Sequence, residues 1–501
     1  MTKNVEIHGL CESRFEVVKN AFTRNFKEGM EVGASFAVTI NGKYVIDIWG
    51  GFKDKEKTQP WEKDTICNVY STTKVPTVLC TMMCVDRGLL DLDAKVAKYW
   101  PEFAQNGKEN ILVRHLLSHT SGLAGIEETA PPSIWYDWNK VVNLLAAQKP
   151  WWEPGTKSGY HAITHGFLLG ELVKRVTGKT LGTFFKEEIA DPLNIDFHIG
   201  LSENHVPRVS KLIPDRPIMQ GVTLILGAIF KRANQSEIIK KEIENWEKSI
   251  QLNFGDQDIF NVKIENGKVN YKTEKIDTPD LKFTTPKDKT GVMYYLFSSL
   301  NEEPDYVSSN LKMEGDSEDI KKAKKLFELI STEVRKIGPV GLKMMLNPIG
   351  LRDRSGDRKW QAAEIPAANG HGNARAVAKI ASVIACEGVV DGIRFISKET
   401  LEKILEEQIY GIDLVMPNPL RWGLGVGLPT KERPAPNPRT CYWGGAGGSA
   451  IRMDLDAHIG FGYVMNKMRN QPLQETLSNK YHSDTRGDRL ITAVYESLDL
   501  I

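Results

Sequence analysis

The run Ser71-Thr72-Thr73-Lys74 places a hydroxyl and an amine three residues apart at the start of an apolar, helically spaced segment. On a helix that spacing stacks Lys74 one turn above Ser71 on the same face. An amine so placed can take the serine proton or hold it in a hydrogen-bonded relay, which turns a weak hydroxyl nucleophile into an attacking one. Val75, Val78, Leu79, Met82, Val85 and Leu89 follow at spacings of three and four, the pattern of a buried helical face. Pro76 is tolerated in a first turn, where backbone donors lack intrahelical partners, and Gly88 ends the helix. The start of the helix also offers its positive dipole end to developing negative charge. The spacing recurs once, at Ser309 and Lys312, amid Glu302, Glu303, Asp305, Glu314 and Asp316 and with no apolar face behind it. Ser309 therefore reads as a solvated loop residue.

Two chemistry-bearing side chains need a frame, and the ends of the chain supply one. Residues 13–26 are amphipathic and read as an opening helix. Residues 34–40 and 44–49, joined by Asn41-Gly42, carry a strong β-hairpin signal. Near the other terminus, 442–445, 449–454 and 458–464 read as three short strands, with Asp456-Ala457 in a turn, and 486–498 as a closing helix. The fold class expected is α+β: one antiparallel sheet assembled from both chain ends, with a mainly helical lobe between. The expected organisation is a single catalytic unit over 1–501. Its sheet subdomain covers about 1–65 and 405–501, and its helical lobe about 66–404. Within that lobe, residues 206–348 form a charged excursion. Lysine-rich runs at 240–248 and 321–325 suggest two or three surface helices there.

Composition narrows the classes. A formal net charge of +1 gives no global field for nucleic acid, and 41% hydrophobic with 26% charged residues is ordinary for a soluble globular chain. The longest apolar stretch, 222–230, is too short to span a bilayer and reads as a core or lid helix. The first residues lack signal- or transit-peptide character. The six cysteines show no C-x-x-C or zinc spacing, and Cys80 and Cys84 fall on the helix after Ser71 as small core hydrophobes. A reduced, cytoplasmic setting is expected.

Further motifs follow Ser71 in order: Val113-Arg114-His115-Leu116-Leu117-Ser118-His119-Thr120-Ser121-Gly122-Leu123, Glu153-Pro154-Gly155-Thr156, and Gly159-Tyr160-His161-Ala162. Then come Asp196-Phe197-His198-Ile199-Gly200-Leu201, Asn369-Gly370-His371-Gly372-Asn373-Ala374-Arg375 and Trp443-Gly444-Gly445-Ala446-Gly447-Gly448-Ser449. Together with S-x-x-K, this series resembles the β-lactamase-related serine hydrolases. It is most similar to their class C-like, family VIII-type esterase branch, over about 12–210 and 345–500. The resemblance implies that Tyr160 joins Ser71 and Lys74 as the catalytic set. A phenol is a useless base at neutral pH unless a cation stabilises its anion; Lys74 can supply that charge, its own being favoured beside the phenol, and because the two groups titrate as a unit either can carry the resting proton. The resemblance also assigns the third motif, Trp443, Gly444, Gly445 and Ala446, to the substrate and oxyanion wall. Its glycines would let backbone approach a ligand as the run opens a strand, and the N–H groups of Ala446 and Ser71 would form the oxyanion hole.

Two departures from the β-lactamases bear on substrate. Trp443 stands where they carry a lysine or histidine, and Ala162 where they commonly carry asparagine. An aromatic face and a methyl favour an uncharged acyl chain over a charged, amide-bearing β-lactam. The expected function is hydrolysis of small uncharged carboxylic esters through an acyl-serine, with no metal or organic cofactor. The alternatives are β-lactamase or D-amino-acid peptidase activity and, from another class, a scaffold that keeps the fold; oligomers are compatible with either. Ten histidines are available, but no G-x-S-x-G elbow exists for a Ser/His/Asp triad, and His115 and His119 lack the glutamate of H-E-x-x-H. Both read as structural histidines bonding loop carbonyls, and His371 receives no role.

Overall fold

The computed structural model describes residues 5–128, 130–214, 230–231, 233–254, 258–272, 278–285, 312–337, 340–345, 347, 355–416, 418–469 and 478–501. Ser309 and all but the last residue of the 222–230 stretch lie outside these. The chain forms two compact units: one of residues 1–124, 135–215 and 355–501, the other of 125–134 and 216–354.

In the first unit, six strands build the main sheet: β1 (Ile7–Cys11), β2 (Gly33–Ile40), β3 (Lys43–Gly51), β4 (Thr440–Gly444), β5 (Ala450–Asp454) and β6 (Ile459–Met465). Five helices frame it and the site: α1 (Glu16–Lys27), α2 (Lys74–Asp86), α3 (Thr164–Thr177), α4 (Ala374–Ala385) and α5 (Thr485–Ser497). The strand order is β1-β3-β2-β6-β5-β4 and every pair is antiparallel. Asn41 and Gly42 both take positive φ (51° and 75°), the conformation a two-residue hairpin needs to match strand twist. The α+β sheet built from both chain ends is thus present as the sequence suggests.

One core joins the termini. Phe15, Val18, Phe22 and Phe26 bury with Phe36, Val38, Ile46 and Ile48 of the hairpin, and with Phe461, Tyr463, Leu490 and Val494 from the far end. Helix α4 is buried along its length except at Arg375, and packs on β6, β2 and β5. Its approach to β6 requires glycine: a Cβ at Gly462 would stand 2.3 Å from the Ala374 carbonyl oxygen.

A four-stranded sheet then gathers the motifs. Its order is Phe197–His198, His371–Gly372, Ile66–Asn68, Val209–Ser210, so the Asn369–Arg375 motif lies between the Asp196–Leu201 motif and the strand leading to Ser71. Helix α2 is almost wholly buried and packs on α3.

The second unit holds a five-stranded sheet in the order Lys312–Glu314, Leu281–Thr285, Lys248–Phe254, Asp258–Glu265, Lys268–Lys272. Helices Glu237–Glu242 and Ser317–Ile337 pack on each other in the same unit. The reading of this region as surface helices alone is corrected here. Ile250 and Leu252, Val262 and Ile264, and Leu281 and Phe283 alternate with polar residues and are buried, while their cross-strand register puts them on one face. Interleaved lysines and glutamates mask that two-residue period in the composition. Among the described residues no helix is long and apolar enough to cross a membrane.

Candidate active site

The segment that carries Ser71 begins with a bend. Strand Ile66–Asn68 delivers the chain to Tyr70, a non-glycine residue at φ +43°, and the turn Tyr70–Thr73 runs straight into α2. Such a conformation persists only where its surroundings fix it. Here Thr73 Oγ1 donates to the Tyr70 carbonyl (2.5 Å) and accepts from Gly370 N–H (2.9 Å), while Asn68 Nδ2 donates to the Ala368 and Gly370 carbonyls (3.0 Å each). Ser71 stays partly exposed at the bend.

Lys74 is wholly buried. Its Nζ lies 3.3 Å from Ser71 Oγ and donates to the carbonyls of Ala162 (2.6 Å) and Ala367 (2.9 Å). Among the described residues no carboxylate forms an ion pair with it, and burial alone holds the amine well below the ordinary lysine range. That direction runs against a favoured Lys74 charge beside the phenol, because burial opposes the charged amine.

Tyr160 stands beside this pair, with Lys74 Nζ 4.7 Å from its ring centroid. Its backbone N–H donates to Asp413 Oδ1 (2.9 Å), its ring stacks on Trp422 (centroids 6.1 Å apart, 10° between planes), and Trp443 Nε1–H donates to its phenolic oxygen at 3.4 Å. Trp422 and Trp443 also touch, at 4.6 Å between centroids, so the phenol sits in an aromatic box. Trp422, Asp413 and the Ala162 and Ala367 carbonyls were not legible as site components. Backbone oxygens carry no sequence signal, and a buried aspartate in a turn looks like any solvated one.

The third motif ends a strand instead of opening one: β4 stops at Gly444, and residues 445–449 form the turn to β5. That turn is sewn to the nucleophile segment. Ser449 Oγ donates to the Val69 carbonyl (2.8 Å) and lies 3.0 Å from Thr72 Oγ1, and a Cβ at Gly445 would meet the Val69 oxygen at 2.1 Å. Ala446 occupies the turn, half-buried, and Arg486 Nη2 donates to the next carbonyl, that of Gly447 (2.7 Å).

The histidines bond loops. His115 Nδ1 accepts from Leu112 N–H (3.2 Å), and His119 Nδ1 from His161 N–H (3.2 Å). His161 places Nδ1 2.5 Å from the Gly159 carbonyl and Nε2 2.7 Å from Ser121 Oγ; His165 Nε2 lies 3.2 Å from the Leu117 carbonyl. Burial depresses all three inner rings, His161 to about 4, so they stay neutral near pH 7. His371, whose Nδ1 is 2.7 Å from the Asn369 carbonyl, is likewise held at about 4. Among the described residues, one group has metal-ligand spacing: Asp196, His198 and His205. The Arg208 guanidinium already bonds Asp196 and His205, filling that place with its own positive charge.

A family model described as Beta-lactamase matches residues 22–223 and 321–480. The chain belongs to the Beta-lactamase family. It is 36% identical over 220 residues, 44% of its length and 51% of the relative's, to "Esterase/beta-lactamase LipL" of Mycobacterium tuberculosis (strain ATCC 25618 / H37Rv). It is 29% identical over 191 residues, 35% of its length and 48% of the relative's, to "Esterase EstB" of Burkholderia gladioli. The chain thus spans about half the length of the curated relatives it matches. Among solved structures it is similar to a family VIII carboxylesterase at 31% identity and a TM-score of 0.69, covering 98% of this chain and 100% of that one.

Proposed function

We propose that the protein is a serine hydrolase that cleaves small uncharged carboxylic esters through an acyl-Ser71 intermediate. The observation that carries this reading is the setting of Lys74. A neutral amine has two N–H bonds and one lone pair; the two carbonyls take the N–H bonds, and the lone pair is left for the Ser71 hydroxyl at 3.3 Å. Lys74 accepts the proton as Ser71 Oγ attacks the ester carbonyl carbon. The N–H groups of Ser71 and Ala446 stabilise the resulting oxyanion. Tyr160 passes its proton to the departing alcohol and takes one from the Lys74 ammonium, and water then attacks the acyl carbon by the reverse route, releasing the acid and restoring Ser71. The aromatic box of Trp422, Trp443 and Tyr160, with the Ala162 methyl in place of an amide, supports an uncharged acyl group as substrate.

Ser71→Ala is expected to abolish hydrolysis of p-nitrophenyl butyrate while the melting temperature stays near wild type. Turnover persisting at the wild-type rate would rule the mechanism out. A fluorophosphonate adduct at Ser71, read by mass spectrometry, separates an enzyme from a non-catalytic scaffold: no adduct favours the scaffold. One observation favours a second reading, β-lactam hydrolysis: a relative's name couples esterase with β-lactamase. Nitrocefin turnover beside the ester assay ranks the two.

A further inference from the structure

Asp413 is a carboxylate only 1% exposed, at the end of the hairpin strand Ile409–Ile412, far in sequence from every motif. Its Oδ1 accepts from the backbone N–H groups of Val415 and Met416, each at 2.9 Å, the ordinary self-bonding of an aspartate that starts a turn. A turn needs no more. Yet the same oxygen accepts from the Tyr160 N–H at 2.9 Å, and Oδ2 lies 3.4 Å from Trp422 Nε1–H. One carboxylate therefore holds the backbone of the phenol-bearing residue and the ring stacked against that phenol. The next residue adds a third tie: the Leu414 N–H donates to the Ser158 carbonyl at 2.9 Å, joining the hairpin to the loop that carries Tyr160. Among the described residues no cation pairs with this carboxylate, which makes its burial costly to retain, and its donors converge on the base apparatus.

We propose that Asp413 is a positioning residue for the hydrolase reaction: it fixes Tyr160 where the phenol can exchange a proton with Lys74 and the leaving alcohol. The inference rests on the hydrolase reading given above. Acting through Tyr160, Asp413 touches no reacting atom, and its loss lets the phenol leave its productive pose without emptying the pocket.

The test uses the full-length protein with two variants. Asp413→Ala removes every acceptor; Asp413→Asn keeps one oxygen for the three backbone donors but turns an amide towards the Trp422 N–H. With p-nitrophenyl butyrate, Asp413→Ala is expected to lower kcat about tenfold or more at nearly constant KM, and Asp413→Asn to lie between it and wild type. A second readout is independent of turnover. In protein carrying 3-fluorotyrosine, the Tyr160 fluorine resonance, assigned by its loss in Tyr160→Phe, is expected to shift or split in Asp413→Ala. An unchanged resonance, or an unchanged kcat with a raised KM, overturns the proposal. Should wild type cleave no ester, the hydrolase reading falls, while the resonance still decides whether Asp413 sets the phenol. Should Asp413→Ala not fold, Asp413→Asn carries both measurements.

Discussion

In the proposed mechanism Lys74 is the residue on which the chemistry turns, because burial, with no anionic partner among the described residues, favours the neutral amine below the ordinary lysine range. Activity should fall as pH drops through the depressed Lys74 value and the amine takes up a proton. The acid limb of the pH–rate profile is therefore expected well below the ordinary lysine range. Lys74→Arg keeps a cation but supplies no base, so kcat should drop about 10²- to 10⁴-fold at every pH, measured by ester hydrolysis. A profile that keeps its wild-type rate in that variant would remove Lys74 from the mechanism. Ser71 and Lys74 were legible from spacing and the apolar face behind them; Tyr160 and the third motif entered only through the family resemblance. What the residue types could not reveal was the direction of the Lys74 shift, since that depends on burial reached only through folding.

At the scale of elements, the turn after β4 and the bend before α2 behave as one part. Gly445→Ala would force its Cβ against the Val69 oxygen, so the turn, the bend or both must move. We expect a stability loss of about 1–3 kcal/mol, seen as a lower melting temperature, together with reduced kcat. An alanine variant that melts and turns over like wild type would show that the two segments are not tightly packed. The hairpin at Asn41-Gly42 and the closing helix were readable because turn chemistry and amphipathic period agree there. The sheet of the second unit was not, because its strands place charge between their apolar residues and composition drew attention to the charge.

For the whole molecule, a buried ion cluster ties the two chain ends. Arg486 of α5, 0% exposed, donates to Glu31 Oε2 (3.0 Å) and Asp484 Oδ2 (2.8 Å), and Tyr463 of β6 bonds Glu31 Oε1. Desolvation raises the Glu31 carboxyl to about 7. Because the folded protein keeps that proton longer than the unfolded chain, stability from this group is present below its unfolded value and is lost as pH rises towards about 7. Glu31→Gln cannot titrate, so the melting temperature of wild type relative to this variant should decline between about pH 5 and 7.5. Parallel curves would mean that Glu31 does not ionise there. The other long-range tie has a different outcome. The amine beside Ser71 bonds a carbonyl 293 positions further along the chain, so its setting is complete only once both stretches have folded together.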